Sequence, residues 1–426
     1  MSIESLGNTE TKATWVKRLT APFHTMVVQG LDIVASILAS ILVGRYLGPE
    51  GMGVFMLAFT IAGLLGIVVL FGADDVIIRM FSTGKDPRRV FGAALTLLGC
   101  GNVACLFLGA GICLLMRLSL SEILVVAMAI CTLFFNGLSA IFAYAIVAFD
   151  KSRYDIAPML IARSVHIVGL IVSFQVGGLY SVMATFILSA FLLTSMRAYV
   201  VNRRCFSIRP HHDWDYVRVI WKSGWKIGVG AVFGVISARS DVLLLKVITN
   251  NEVVGIYGAA YRIVNGAITG ISAMASALFP RVAQAVAEGK QTLEVKLFFI
   301  IPAVIAVFAL FGAAFASEFL IDLLYGKAFV AAYSVLQVLF VVMALETLIA
   351  FYNRYLVATH REALLPFAQG VGAFLNVGLN LLLIPSHGAW GAAIATVGSC
   401  SATLVCYLVV SQRNRSKKKK KNRTAD

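Results

Sequence analysis

Residues 51–72 read GMGVFMLAFTIAGLLGIVVLFG, which contains no charge, and residues 79–89 read RMFSTGKDPRR, which contains four Lys and Arg. A helix of about 20 apolar residues spans the hydrocarbon core of a membrane. Lys and Arg beside such a helix are typical of its cytoplasmic side. This stretch therefore predicts a transmembrane helix followed by a cytoplasmic connection, and it sets the pattern for the rest of the chain.

The same pattern recurs along the 426 residues, of which 59% are hydrophobic and 13% are charged. A soluble domain of this length needs a much more polar surface, so composition excludes that class. Twelve apolar segments are predicted as transmembrane helices. They cover residues 23–44, 51–72, 91–116, 121–148, 157–176, 179–200, 224–247, 254–280, 297–317, 330–353, 364–384 and 388–411.

Lys and Arg are concentrated in every second connection. With Arg197 and Lys226 counted in the connection after the sixth segment, this set, including both termini, contains 29 Lys and Arg, and the other connections contain 4. The positive-inside rule then predicts that both termini are cytoplasmic. Topology and attraction to anionic membrane lipids explain the net charge of +15, so we expect those lipids as partners and no nucleic acid.

The two halves of the chain resemble each other at an offset of about 202 residues: Gly53-Val54-Phe55 aligns with Gly255-Ile256-Tyr257. Six helices per repeat is an even number, so both copies have the same orientation in the membrane. The predicted fold class is an all-α polytopic membrane protein with two parallel-oriented six-helix bundles around a central cleft. The predicted regions are an N-terminal bundle at 1–200, a cytoplasmic linker at 201–223, a C-terminal bundle at 224–411 and a polybasic cytoplasmic tail at 412–426.

Four motifs support a more specific interpretation. They are GRYLGPEGMGVF at 44–55, SDVLLL at 240–245, EVVGIYGAAY at 252–261 and GAWGAAIAT at 388–396. These motifs resemble those of bacterial polysaccharide (O-antigen and exopolysaccharide) flippases in the MOP exporter superfamily, which also contains MATE multidrug antiporters and lipid II flippases. The resemblance covers nearly the whole chain. It implies a transporter, not an enzyme, that moves undecaprenyl-pyrophosphate-linked oligosaccharide from the inner to the outer leaflet of a bacterial cytoplasmic (inner) membrane.

Basic residues at membrane depth are the candidate substrate contacts. Each costs at least ~2.5–3.5 kcal/mol on insertion scales, so each should face a partner or a wet cavity. Arg163, Arg239 and Arg262 are the three Lys and Arg that remain once the connections are counted. A guanidinium group stays charged and binds phosphate oxygens bidentately. We therefore predict that these arginines, Arg262 first, bind the pyrophosphate, and that Asn265 and Asn353 hydrogen-bond the sugars.

Carboxylates at membrane depth are the candidate ion-coupling groups. Asp32, Glu346 and Asp241 lie inside apolar segments, and a buried carboxyl group is suited to binding H⁺ or Na⁺. No cluster has the spacing of metal ligands, so we predict no metal, no bound cofactor and no catalytic residue.

Each of these charges also has a structural alternative, in which it only holds the bundle together. The alternatives are Arg239 and Asp241 each paired with neighbouring helices, Arg163 paired with Asp155 or Glu346, and Asp32 paired with Arg262.

Two other functions compete with the flippase. A MATE-like, cation-coupled drug antiporter would have a cavity dominated by carboxylates and aromatic residues. A membrane glycosyltransferase or polymerase would need a sizeable extramembrane loop, and no phosphate-binding loop motif occurs in the sequence. If the flippase interpretation holds, a polysaccharide polymerase and chain-length machinery are expected as further partners.

Overall fold

The computed structural model describes the backbone of residues 3–209, 211–288, 293–359, 361 and 364–423. Within these ranges it describes the side chains of residues 30–409, apart from 226, 227, 230, 231, 233, 237, 280, 281, 287 and 294. The predicted polybasic tail at 412–426 therefore lies outside the residues whose side chains are described.

All regular structure in the described residues is helical, which confirms the all-α class. The α-helices are α1 (Ile3–Leu70), α2 (Asp74–Ser82), α3 (Pro87–Leu115), α4 (Leu120–Ala148), α5 (Ile156–Val176), α6 (Gly178–Arg204), α7 (Trp214–Ile248), α8 (Asn251–Ala287), α9 (Leu293–Phe315), α10 (Ser317–Tyr325), α11 (Ala332–Ala358) and α12 (Leu364–Arg423). One-turn 3₁₀ helices cover Ser152–Asp155 and Lys327–Phe329.

Nine helices in the described part of the chain are long and apolar enough to cross a membrane. Two of them are about twice the length that one crossing needs: 41 residues in α1 (Gly30–Leu70) and 46 in α12 (Leu364–Val409). Each contains two predicted segments and is interrupted by a glycine, Gly48 at φ 66° and Gly388 at φ 52°. L-residues with a side chain rarely adopt these angles, which explains why the helices break there. The polytopic class is confirmed, and the count of twelve stays a prediction.

Local sequence explains where several helices begin. The Asp86 carboxylate accepts a hydrogen bond from the backbone N–H of Arg88 at the start of α3. At the start of α4, Ser119 and Glu122 form a reciprocal capping box. The side chain of Asn250 accepts from the backbone N–H of Val253 and caps α8. Such caps satisfy backbone donors that have no partner inside the helix.

The helices form two compact units. Unit 1 consists of Met1–Ala39 and Ile61–Ala231, and unit 2 consists of Ser40–Thr60 and Val232–Asp426. In unit 1, α6 packs against α4 and α5, and in unit 2, α11 packs against α8, α9 and α12. Helix α7 begins inside the predicted linker. Its residues up to Ala231 belong to unit 1, and those from Val232 belong to unit 2. The predicted region boundaries stay a prediction.

The repeated glycine motif lies at a close helix crossing in unit 2. A Cβ atom on Gly53 would lie 1.8 Å from the carbonyl oxygen of Asn251, and one on Gly255 would lie 1.8 Å from that of Pro49. Only a residue without a side chain permits backbones to approach this closely. The two equivalent repeat positions therefore bring the part of α1 after its break and the start of α8 into contact.

Candidate functional site

A polar cavity of about 330 Å³ lies inside unit 2, between α7, α8, α11 and α12. Four predicted site residues line it: Asp241, Asn265, Glu346 and Asn353. No Lys or Arg is among the described residues that line it. The cavity lining thus contains two predicted ion-coupling carboxylates and both predicted sugar-binding amides, but none of the three predicted arginines is among its described residues.

Asp241 is the most densely hydrogen-bonded carboxylate of the cavity. Its Oδ2 atom accepts hydrogen bonds from the Tyr257 hydroxyl at 2.7 Å and the Thr396 hydroxyl at 3.1 Å, and its Oδ1 atom accepts from the Asn380 amide at 3.0 Å. Asp241 is buried, and no Lys or Arg of the described residues lies within ion-pair distance of it. Neutral donors on three other helix segments therefore satisfy its oxygen atoms.

Two asparagines extend this cluster. The Asn376 carbonyl oxygen accepts from the Asn380 amide at 3.0 Å and from the Ser240 hydroxyl at 2.9 Å. Asn380 Oδ1 is buried and has no hydrogen-bond partner among the described residues. Sequence reasoning missed both asparagines, although their spacing of four residues inside an apolar segment places them on one helix face.

Glu346 occupies another part of the same cavity. Its Oε1 atom accepts a hydrogen bond from the Cys400 thiol at 3.2 Å, which is a weak donor. Nearby in the lining, the Asn353 side-chain oxygen is buried without a hydrogen-bond partner among the described residues. Asn353 therefore keeps an acceptor available for a hydroxyl group or a water molecule.

Arg262 and Arg239 are cations in the interior of unit 2 that lack a carboxylate partner among the described residues. The Nε atom of Arg262 is buried and has no hydrogen-bond partner there. The Nη1 atom of Arg239 donates to the carbonyl oxygen of Phe59 at 3.5 Å. Arg239 lies close enough to Arg262 for the two guanidinium groups to repel each other. Two neighbouring guanidinium groups without a carboxylate among the described residues form a region of unit 2 suited to an anion.

Asp32 pairs with Arg163 within unit 1, where the guanidinium donates to Asp32 Oδ1. The alternatives that paired Asp32 with Arg262, and Arg163 with Asp155 or Glu346, are therefore wrong. Both side chains line a cavity of about 520 Å³ in unit 1. Each of these charges has a partner, but Arg163 Nε is buried without a hydrogen-bond partner among the described residues. The roles of Asp32 in ion coupling and of Arg163 in substrate binding stay predictions.

Arg197 corrects the sequence-based count of interior cations. It was assigned to a cytoplasmic connection, but it lies inside α6 and is buried. Its guanidinium donates to both carboxylate oxygens of Asp155, at 2.8 and 2.7 Å, and to the Ser139 hydroxyl at 3.0 Å. A buried, hydrogen-bonded pair of this kind holds helices together. These bonds use three of the five guanidinium N–H groups of Arg197.

The family model described as polysaccharide biosynthesis protein matches residues 22–286, more than half of the chain. One relative is the "Probable low-salt glycan biosynthesis flippase Agl15" of Haloferax volcanii. It is 25% identical over 386 residues, which cover 85% of this chain and 77% of that protein.

Solved structures share the fold. A lipid II flippase, MurJ, in an inward closed conformation aligns with a TM-score of 0.73 at 13% identity, covering 92% of this chain and 87% of that chain. A multidrug resistance MATE family transporter of the MOP superfamily, in an inward-facing conformation, aligns with a TM-score of 0.70 at 17% identity, covering 94% and 99%. These similarities confirm that the chain has the fold of a polytopic membrane transporter.

Proposed function

The chain belongs to the polysaccharide biosynthesis protein family, and from this premise we propose that it is a flippase for undecaprenyl-pyrophosphate-linked oligosaccharide. It moves this lipid from the inner to the outer leaflet by alternating access, for the synthesis of a cell-surface polysaccharide. The flippase named among its relatives and the fold shared with a lipid II flippase support this proposal. Both comparisons also favour a transporter over an enzyme.

The observation that carries the proposal is the pair of arginines in unit 2 for which the described residues provide no counter-ion. A pyrophosphate diester carries about two negative charges, and burying an unpaired charge costs several kcal/mol. Arg262 and Arg239 are cations in the interior whose own desolvation is uncompensated by any described carboxylate. When the headgroup binds, its negative charges and the positive charges of the two arginines neutralise each other. Asn265 and Asn353, which line the nearby cavity, contact the sugars.

Ion coupling is proposed at Asp241. The oxygen and nitrogen ends of an amide side chain have nearly the same shape, so the Asn380 side chain fits this site with either end towards Asp241. Asn380 Nδ2 lies 3.0 Å from Asp241 Oδ1 and 3.0 Å from Asn376 Oδ1. Rotating the amide by half a turn puts Asn380 Oδ1 in the place of that nitrogen atom. Three amide or carboxylate oxygens and the Thr396 hydroxyl then suit Na⁺, because hard cations prefer oxygen ligands.

A MATE-like, cation-coupled antiporter is the second candidate. The unit 2 cavity favours it in one respect, since its lining contains Asp241 and Glu346 and no Lys or Arg. Such a cavity attracts a cationic drug. The family match and the unpaired arginines favour the flippase.

We propose that the protein resides in a bacterial cytoplasmic membrane with both termini in the cytoplasm. The excess of Lys and Arg in alternate connections supports this orientation. A polysaccharide polymerase and its chain-length machinery act on the translocated product and are the proposed protein partners.

The experiment compares leaflet accessibility of the lipid-linked glycan in cells depleted of this protein. The depleted cells carry no further copy, the intact chain, the Arg262→Gln variant or the Arg239→Gln variant. Depletion and both variants should trap the glycan on the cytoplasmic leaflet, because glutamine keeps much of the side-chain size and removes the charge. Arg354→Gln is the matched control, since Arg354 lies at the exposed end of α11 and donates to the Ser276 hydroxyl at 2.9 Å.

Normal external glycan in depleted cells, together with lost efflux of a cationic dye, would favour the antiporter. Full transport by Arg262→Gln and Arg239→Gln would refute the cationic site while leaving the flippase activity in place. The control should transport as well as the intact chain.

A further inference from the structure

Unit 1 contains a cavity of about 720 Å³ where the end of α6 faces the start of α5. Two arginines, Arg203 and Arg204, and two tyrosines, Tyr154 and Tyr199, line it. Its other lining residues are apolar except for Ser195. This cavity is separate from the unit 2 residues to which transport is assigned above, so it needs its own explanation.

Aromatic rings hold the guanidinium groups at the cavity. Arg153 and Arg204 stack on the ring of Tyr154, with their guanidinium carbons 4.6 and 4.8 Å from its centroid, and Arg153 donates to the Tyr154 hydroxyl at 2.6 Å. Arg203 lies 5.8 Å from the ring centroid of Tyr199. A stacked guanidinium group keeps its edge N–H groups available for hydrogen bonds.

These three arginines have no carboxylate partner among the described residues. Arg153, Arg203 and Arg204 are also exposed. The cavity therefore presents a concentration of positive charge that no described acidic side chain neutralises, and the charge is fixed in position by the two tyrosines. Its complement is an anion with several acceptor oxygens, such as a phosphate.

An apolar track leads away from this charge. On α6, Leu188, Phe191 and Tyr199 are exposed at helical spacing, and on α5, Leu160 and Ile161 are exposed. In membrane-spanning helices such a face contacts acyl chains, and aromatic residues such as Tyr199 favour the headgroup level. The ligand of this cavity is therefore amphipathic, with a phosphate at one end and hydrocarbon at the other.

We propose that this cavity binds the headgroup phosphate of an anionic phospholipid, whose acyl chains lie along the exposed faces of α5 and α6. Basic pockets between transmembrane helices bind anionic headgroups in this way. In the predicted topology, the site faces the cytoplasmic leaflet. The phosphate contacts Arg203 and Arg204. Arg153 holds the Tyr154 ring in position, and Arg204 stacks on that ring.

Native mass spectrometry of the full chain in a neutral detergent tests the proposal. Phosphatidylglycerol and phosphatidylcholine with the same acyl chains are titrated, and the fraction of protein that retains one lipid is measured. Phosphatidylglycerol should bind more tightly to the intact chain. Arg203→Gln/Arg204→Gln should weaken its binding about 30-fold, the factor that corresponds to ~1 kcal/mol for each basic residue.

The matched control is Arg88→Gln/Arg209→Gln, which removes the same charge from exposed positions of unit 1 outside the cavity. It should change the affinity less than threefold. Equal weakening by both double variants would show that attraction is diffuse and would overturn the proposal.

Two further measurements keep the test decisive. Ser195→Trp fills the cavity without changing charge and should also remove the selective binding, even if the arginine variant fails to fold. Inorganic pyrophosphate at millimolar concentration should not displace phosphatidylglycerol, because it lacks acyl chains. Retained lipid binding in Ser195→Trp, or complete displacement by pyrophosphate, would contradict a lipid site in this cavity.

Discussion

Removing the carboxylate of Asp155 should destabilise unit 1 far more than removing that of Asp32, although each carboxylate pairs with one arginine. The side chains of Arg197 and Asp155 are both 9% exposed, and Arg197 donates three hydrogen bonds to Asp155 and Ser139. Breaking such a buried pair by removing one partner costs ~3–5 kcal/mol, because the other charge stays buried. Arg163 and Asp32 are 25% and 49% exposed, and pairs of this kind contribute ~0–1 kcal/mol.

The assay is the free energy of unfolding in mixed detergent micelles, followed by circular dichroism. Asp155→Ala should lose at least ~2 kcal/mol more than Asp32→Ala. The double variant Arg197→Met/Asp155→Leu should recover most of the loss, since an apolar replacement of a buried pair is often neutral or stabilising. Equal losses for the two single variants, or a double variant as unstable as Asp155→Ala, would refute this reasoning.

Three further predictions concern packing, coupling and capping. Gly255→Ala should prevent stable folding because its Cβ atom would lie 1.8 Å from a carbonyl oxygen, whereas Gly270→Ala, with no neighbouring atom within 4 Å, should be neutral or slightly stabilising in a thermal unfolding assay. Asp241→Asn should abolish the dependence of glycan transport on the Na⁺ gradient, and Asp32→Asn should retain it; unchanged dependence in Asp241→Asn would exclude coupling there. Ser119→Ala should lower the free energy of unfolding by ~0.5–2 kcal/mol, since it removes the capping box of α4, and no change would mean that another group caps the helix.

Apolar length and charge alternation predict the membrane class, because a helix that crosses lipid must be long and uncharged whatever its tertiary neighbours are. Gly48 lies between two predicted segments and Gly388 begins one, so the pattern places both interruptions. It does not predict that the residues on either side of each glycine are helical.

The candidate site was predictable in part. Asp241, Glu346, Asn265 and Asn353 line one cavity because each is a polar residue in an otherwise apolar helix, and such residues avoid lipid. Sequence depth alone does not identify partners, so the alternative pair of Asp32 with Arg262 fits the sequence although the structure pairs Asp32 with Arg163.

Arg197 shows a related limit of sequence reasoning. Its position near the end of an apolar segment resembles that of a connection residue, but the buried Asp155 carboxylate draws it into the helix bundle. Position in the sequence gives the depth of a charge only approximately, while the location of its counter-ion decides whether the side chain extends to the surface or stays inside.

Transport of a fluorescent undecaprenyl-pyrophosphate oligosaccharide across liposomes that contain only the purified chain tests the central claim most directly. A membrane-impermeant quencher reports the fraction of label on the outer leaflet over time. We predict rapid exchange between leaflets for the intact chain, and exchange no faster than in protein-free vesicles for Arg262→Gln. Exchange at the protein-free rate with the intact, folded chain would contradict the account.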